Sequence, residues 1–87
     1  MGGGENAMKY VYLITVDDYY DGMEYYLCDT EAAADKLFKK IVKEKYFDPK
    51  EDTEEDFKKA CYSWYWESQN TDTVMVLKHQ VLTEDEI

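Results

Sequence analysis

The most constraining feature of this sequence is a strand-like segment at residues 9–16, KYVYLITV, which is apolar on both faces. Its β-branched and aromatic residues favour extended backbone. Successive side chains of a strand point to opposite faces of a sheet, so the pattern assigns each residue to a face. The first face carries Tyr10, Tyr12, Ile14 and Val16, and the second carries Val11 and Leu13. A one-sided antiparallel sheet normally alternates apolar with polar residues, and this segment does not.

Two more segments have strand character. Asp21-Gly22 is a turn signal, and residues 23–28, MEYYLC, are predicted to return beside the first strand as a β-hairpin. Residues 73–82, TVMVLKHQVL, form the third predicted strand, which also has apolar residues on both faces.

Two helices are predicted between the second and third strands. Thr30 is a good N-cap for the first helix, and Thr53 and Asp56 have the spacing of a capping box at the start of the second. Pro49 separates the helices, because the residue before a proline avoids helical backbone. The core-facing stripe of the second helix is predicted to be Phe57, Ala60, Cys61, Trp64 and Tyr65.

These elements predict a small two-layer α+β domain over residues 8–87, in the order β-β-α-α-β. We expect a three-stranded sheet with strand order 2-1-3 and both helices on one face. Residues 1–7, MGGGENA, are interpreted as an expression leader, because three consecutive glycines bury nothing and are costly to order. The helices leave the other sheet face with more apolar area than a lone monomer needs, which indicates an interaction surface. The alternative is that half-exposed tyrosines are tolerated there.

The charge balance excludes several functions. Twenty acidic residues outnumber ten lysines, there is no arginine, and the net charge is −10. Nucleic acids and anionic membranes both attract clustered cationic side chains, so direct binding to either is not expected. No apolar run approaches the ~20 residues that span a bilayer, and no secretory segment is recognisable. The protein is therefore predicted to be cytoplasmic, with Cys28 and Cys61 reduced.

Catalytic chemistry has little support in the sequence. His79 is the only histidine and lies inside a predicted strand, with no nucleophile at a motif spacing. The acids occur in solvated runs, which do not separate carboxyl pKa values as acid–base catalysis requires. The acidic hairpin turn lacks the alternating pattern of a calcium loop. We therefore expect a protein that is not an enzyme and that has neither cofactor nor metal.

An acidic run at residues 48–56, DPKEDTEED, permits two interpretations. It can imitate the negative charge of DNA phosphates and occupy a basic groove on another protein. It can also be local, because the helix dipole favours acids in the first turn, and Lys40, Lys43 and Lys45 can neutralise part of the run. The local interpretation is favoured, since first-turn acids are common.

Acids beside aromatic residues are better candidates for recognition. Tyrosine and tryptophan combine an apolar ring with a polar tip and are favoured anchors at protein interfaces. Tyrosines flank the acidic hairpin turn, and two rings fall off the predicted stripe of the second helix. The predicted partner-binding residues are Asp17, Asp18, Tyr19, Tyr20, Asp21, Glu24, Tyr62, Trp66 and Glu67.

The small acidic α+β build, over residues 9–82, resembles that of phage-encoded inhibitors, including anti-CRISPR proteins and other DNA mimics, and that of many small bacterial proteins. The resemblance lies in architecture and composition and carries over no functional residue. We predict a module that binds a protein partner with a basic surface. The more specific form of this prediction is a DNA-mimicking inhibitor of a nucleic-acid-handling protein. The alternative is a homodimer that associates through the apolar sheet face.

Overall fold

The computed structural model of the chain describes residues 9–68, 71–82 and 84–86. The leader predicted at residues 1–7 lies outside them. The described residues form two layers, an antiparallel sheet and two α-helices that pack on one side of it. The predicted α+β class is confirmed, but the sheet has four strands rather than three.

Strands β1 (Lys9–Asp18) and β2 (Gly22–Cys28) form the predicted hairpin. Gly22 has a φ of 86°, in the left-handed region that glycine adopts without a steric penalty. The chain can therefore reverse direction here and return beside β1.

The helices begin at the predicted caps. Helix α1 (Glu31–Ile41) follows Thr30, whose hydroxyl accepts a hydrogen bond from a backbone N–H of the first turn, and a π-helical segment (Val42–Tyr46) prolongs it. Helix α2 (Glu54–Ser63) follows Thr53, where the predicted capping box is present with bonds of 3.0 and 3.1 Å. Such a box satisfies backbone N–H groups that the start of a helix leaves without partners.

The fourth strand overturns part of the prediction. The sheet order is β2-β1-β4-β3, in which β4 (Thr73–Val81) is the third predicted strand and β3 (Tyr65–Glu67) is additional. Helix α2 ends at Ser63 because Trp64 takes a left-handed conformation, φ 56° and ψ 38°, that leads the chain into β3. The predicted strand order 2-1-3 is therefore incomplete, because it lacks the outer strand β3, and the helical stripe through Trp64 and Tyr65 is wrong.

A short 3₁₀-helix (Glu84–Glu86) follows β4. Within the described ranges, every helix is too short or too polar to cross a membrane.

The core lies between the helical layer and one face of the sheet. Phe38 of α1 is fully buried there, at 0 % exposure, against the central strands. The helical layer contributes Ala34, Phe38, Ile41, Val42 and Ala60, and the sheet contributes Tyr12, Ile14, Val16, Trp66, Val74 and Val76. The alternating burial along β1 follows from the two-residue period of a strand.

Replacing Phe38 with alanine removes a whole ring from this core, and we expect a loss of about 3–5 kcal/mol in the free energy of unfolding. A domain of this size has a free energy of unfolding near the lower end of the usual range of about 5–15 kcal/mol. The substitution therefore removes most of the stability of the fold. Urea denaturation followed by circular dichroism measures the change. The control is Tyr62→Ala, because Tyr62 is 96 % exposed on α2, and it should shift stability by less than about 0.5 kcal/mol. Equal losses in the two variants would contradict the placement of the core.

Candidate functional site

No helix of the described ranges packs against the second face of the sheet. Its side chains alternate with the core residues along each strand, so they point away from the helices. Strand pairing places Leu27, Leu13 and Leu77 side by side in a central row. We call this surface the open face, and its members are Lys9, Val11, Leu13, Thr15, Asp17, Met23, Tyr25, Leu27, Tyr65, Glu67, Thr73, Met75, Leu77, His79 and Val81.

Several large apolar side chains of the open face are exposed to solvent. Leu27 is 71 % exposed, Tyr25 60 %, Met23 50 %, Tyr65 41 % and Leu77 40 %. Such residues are ordinary when they are scattered singly over a surface. Here they occupy neighbouring positions on adjacent strands and form a contiguous area, which is typical of a protein-binding surface.

The hairpin turn uses one of its predicted binding acids to hold its own backbone. The carboxylate of Asp18 accepts hydrogen bonds from the backbone N–H groups of Tyr20 and Asp21, at 2.8 and 3.0 Å. It also accepts one from the hydroxyl of Tyr46, at 2.8 Å. The bonds from Asp21, Tyr46 and Tyr20 hold the pKa of Asp18 below its ordinary value of 3.8. Burial, together with the bond to Asp18, raises the pKa of Tyr46.

A second carboxylate ties the hairpin turn to the connection between β3 and β4. Asp72 is 8 % exposed and accepts hydrogen bonds from the backbone N–H of Tyr19, at 2.7 Å, and from the hydroxyl of Ser68, at 3.1 Å. Burial of a charged group is costly unless donors satisfy it, and these donors do so. Asp72 was not among the predicted site residues. Tyr19 lies 53 positions away in sequence, so no local pattern reveals this pairing.

The structure brings only some of the predicted binding residues together. Asp17 and Glu67 lie on the open face, in one row with Thr73 between them. Tyr19 and Tyr20 are exposed at the adjacent turn, and their rings pack edge to face with centroids 5.1 Å apart. These four residues form one end of the molecule, and Asp21 is exposed in the same turn.

The remaining predicted residues lie elsewhere. Glu24 is on the helix side of β2, 3.7 Å from the ammonium group of Lys45. Tyr62 is exposed near the start of α1, where it shares a surface depression with Glu31. Trp66 is 4 % exposed because it lies on the core side of β3, so its predicted role as a surface anchor is corrected.

The acidic run at residues 48–56 is largely engaged within the chain, as the local interpretation predicts. Asp52 accepts a backbone hydrogen bond of 2.8 Å at the start of the run, and Asp56 closes the capping box of α2. Glu54 lies 2.6 Å from the ammonium group of Lys43. Of the three lysines expected to neutralise the run, the structure pairs Lys43 with it, whereas Lys45 faces the hairpin.

The residues with catalytic potential lie apart from one another. His79 is exposed on the open face, opposite Val11 of β1. Cys28 lies on the core side of β2. Cys61 lies on α2, where partial burial raises the pKa of its thiol. Both cysteines are free thiols. Among the residues that the structure describes, no group of His, Cys, Asp and Glu is arranged to hold a metal ion.

Compared with known proteins, the chain matches no family model, and no curated protein or solved structure shows significant similarity to it.

The hydrogen bonds to Asp18 predict a contribution to stability that depends on pH. Because the folded-state pKa of Asp18 lies below its ordinary value, the contribution is present above about pH 4 and is lost as the pH falls through the lowered pKa. We expect Asp18→Asn to be less stable than the native chain at pH 6, with a gap that narrows at pH 2.5. Urea unfolding at both pH values measures it.

The matched control for Asp18→Asn is Asp21→Asn, which removes a carboxylate from the same turn and leaves the backbone donor to Asp18 in place. The control should produce a smaller gap at pH 6. A gap for Asp18→Asn that stays constant with pH would contradict the assigned role.

Proposed function

We propose that this protein is a non-enzymatic protein-binding module and that the open face is its binding surface. The observation that carries the proposal is that exposed apolar side chains lie next to one another, in adjacent rows, on the side of the sheet opposite the helices. A sheet normally buries an apolar face against another layer of structure. The described chain supplies such a layer for one face only, so another polypeptide surface is the natural cover for the second.

Burial of this face contributes a favourable free energy that is comparable with the lower end of the cost of association. Complete burial of one large apolar side chain is favourable by about 1.5–3 kcal/mol. Association costs about 4–15 kcal/mol in lost rigid-body freedom. Leu27, Tyr25 and Leu77 start from exposures of 40 % or more, so each has substantial area left to bury. Burial of the exposed fractions of Leu27, Tyr25, Met23, Tyr65 and Leu77 is favourable by about 4–8 kcal/mol, which matches the lower end of that cost.

The DNA-mimicking form of this function remains a separate prediction with narrower support. Asp18, Asp52, Asp56 and Asp72 already accept hydrogen bonds within the chain. The exposed pair Tyr19 and Tyr20, with Asp17 and Glu67 close by, is the part of the predicted acid–aromatic surface that favours it. Salt separates the two modes, since binding by an acidic array weakens steeply as salt rises, whereas apolar burial responds little.

Binding through the open face predicts where a photo-crosslinking amino acid captures protein. At position 77 it should give a protein–protein adduct when a lysate of expressing cells is irradiated, because Leu77 lies in the central row of the open face. At position 62 it should give little or none, because Tyr62 is exposed on the helical side. Adduct yields measured by immunoblot at low and high salt should be similar for position 77. Absence of adducts at 77, or equal adducts at both positions, would overturn the proposed function.

A further inference from the structure

Strand β2 is an edge of the sheet, and among the residues that the structure describes no strand lies on its outer side. Its seven residues pair with β1 in one unbroken register, without a bulge. Alternate residues of such a strand direct their backbone N–H and C=O groups outward, where a further strand can bind them. Within the described ranges, no loop backbone or side chain forms a hydrogen bond with these outer groups.

The edge at β2 lacks the features that usually protect an edge strand from pairing, which are lysine, proline, a bulge or short length. At the other edge of the sheet, β3 has only three residues. The part of β4 that extends past β3 carries Lys78 and His79. Strand β2 has neither lysine nor proline, and Glu24 is its only charged residue. Of the described strands, β2 is therefore the one most open to pairing with another strand.

The sequence of β2 is self-complementary in one antiparallel register. A two-fold axis through Tyr25, perpendicular to the sheet, pairs Tyr25 with itself and Met23 with Leu27 of the second copy. These side chains are exposed on the open-face side of β2, so they form apolar cross-strand pairs. On the helix side, Glu24 stands opposite Tyr26, and the carboxylate therefore faces a hydroxyl donor rather than its own copy.

Neighbouring registers are poorer. Side chains of paired strands must lie on the same face, so the axis can move only in whole residues along β2. An axis through Glu24 would oppose two carboxylates, which is destabilising. An axis through Tyr26 would leave Gly22 and Met23 without partners in the other β2. The register centred on Tyr25 pairs all seven residues.

The helical layers leave room for this pairing. The two-fold axis places both layers on the same side of the joined sheet. Helix α1 packs over β1, with β2 and β4 on either side of it. In the order β1-β2-β2-β1 the two β1 strands are three strand spacings apart, which is about 14 Å. A helix with its side chains is about 10–12 Å wide, so the two α1 helices lie side by side without overlap.

Charge opposes the pairing and makes it depend on salt. Each copy carries −10, and Asp21 and Asp29 flank β2, where this register brings Asp21 of one copy near Asp29 of the other. Salt screens such repulsion, because the Debye length falls to about 8 Å at physiological ionic strength. A single pair of seven-residue strands also makes a small interface, below the roughly 1,200 Å² of standard complexes. We therefore expect a weak dimer that tightens as the salt concentration rises.

We infer that the outer edge of β2 binds β2 of a second copy, antiparallel and centred on Tyr25, so that two four-stranded sheets become one sheet of eight strands. The interface is isologous, so each pair away from the axis occurs twice. The inference goes beyond the proposed function, because it concerns the edge of the sheet rather than the cover of the open face. Both open faces stay uncovered, side by side on one side of the joined sheet, and available to a protein partner.

Sedimentation equilibrium of the purified chain, at concentrations up to about 1 mM, tests the pairing. The dissociation constant should fall at least about threefold between about 0.05 and 0.5 M salt. Tyr25→Lys should raise it about tenfold or more, because the two ammonium groups oppose each other on the axis. Tyr65→Lys is the matched control, since it makes the same change on the same face of the other edge strand, and it should stay within about twofold of the native value. Circular dichroism verifies that each variant is folded.

Cysteine crosslinking tests the register, in a Cys28→Ser/Cys61→Ser background with a short bismaleimide. Tyr25→Cys should crosslink to itself, and Met23→Cys should crosslink when mixed with Leu27→Cys. Leu27→Cys alone should not, because its two copies are offset by four residues, about 13 Å along the strands. Tyr62→Cys, on the exposed side of α2, measures crosslinking by random collision.

The outcomes separate this inference from the proposed function. A chain that stays monomeric at both salt concentrations overturns the pairing, and so does a dimer that Tyr25→Lys and Tyr65→Lys weaken equally. Crosslinking of Leu27→Cys to itself above the level of Tyr62→Cys overturns the register. Position 77 lies two strands away from the β2 edge, so its photo-adducts test the proposed function independently of these results.

Discussion

Packing of the helical layer against the central strands is the interaction on which the rest of this structure depends. Phe38 and Ala34 of α1 are fully buried against β1 and β4, and Val42 is fully buried in the same core. That contact fixes which face of β1 turns inward, because a slip of one residue would exchange the two faces. It also uses both helices on one face of the sheet, since α2 adds Ala60 to the same core. The open face is therefore a direct result of having one helical layer for a strand that is apolar on both sides.

The sequence is a good guide where the determining signal is local. Thr30 and Thr53 mark the two helix starts, and Gly22 marks the hairpin turn, because caps and turns are specified by a few adjacent residues. Strand β3 is different, since three residues are too few to show alternation. Trp64 and Tyr65 happen to continue the helical spacing of α2. The break comes from the left-handed backbone of Trp64, whose indole N–H donates to Asp35 at 3.3 Å and whose ring packs against Tyr12.

The candidate site was likewise predictable only where its signal is local in the sequence. The apolar second face could be predicted from Val11 and Leu13, because strand periodicity alone assigns them to one side. The acid–aromatic surface could not, because the partners that bind Asp18 and Asp72 are distant in sequence, at Tyr46 and Tyr19. Carboxylates that the sequence suggests are available to a binding partner thus accept hydrogen bonds from donors that only the tertiary structure brings near.

Strand β2 has a consequence for motion. It is an edge strand, and six of its seven residues are exposed, with only Cys28 half-buried. It is therefore held by its ladder to β1 and by the ion pair of Glu24 with Lys45, rather than by burial. Segments held in this way open locally at a lower free energy than the strands beneath them. Backbone amides of β2 should consequently exchange with solvent hydrogen sooner than those of β1 and β4. A protein bound to the open face would therefore slow the local opening of the hairpin.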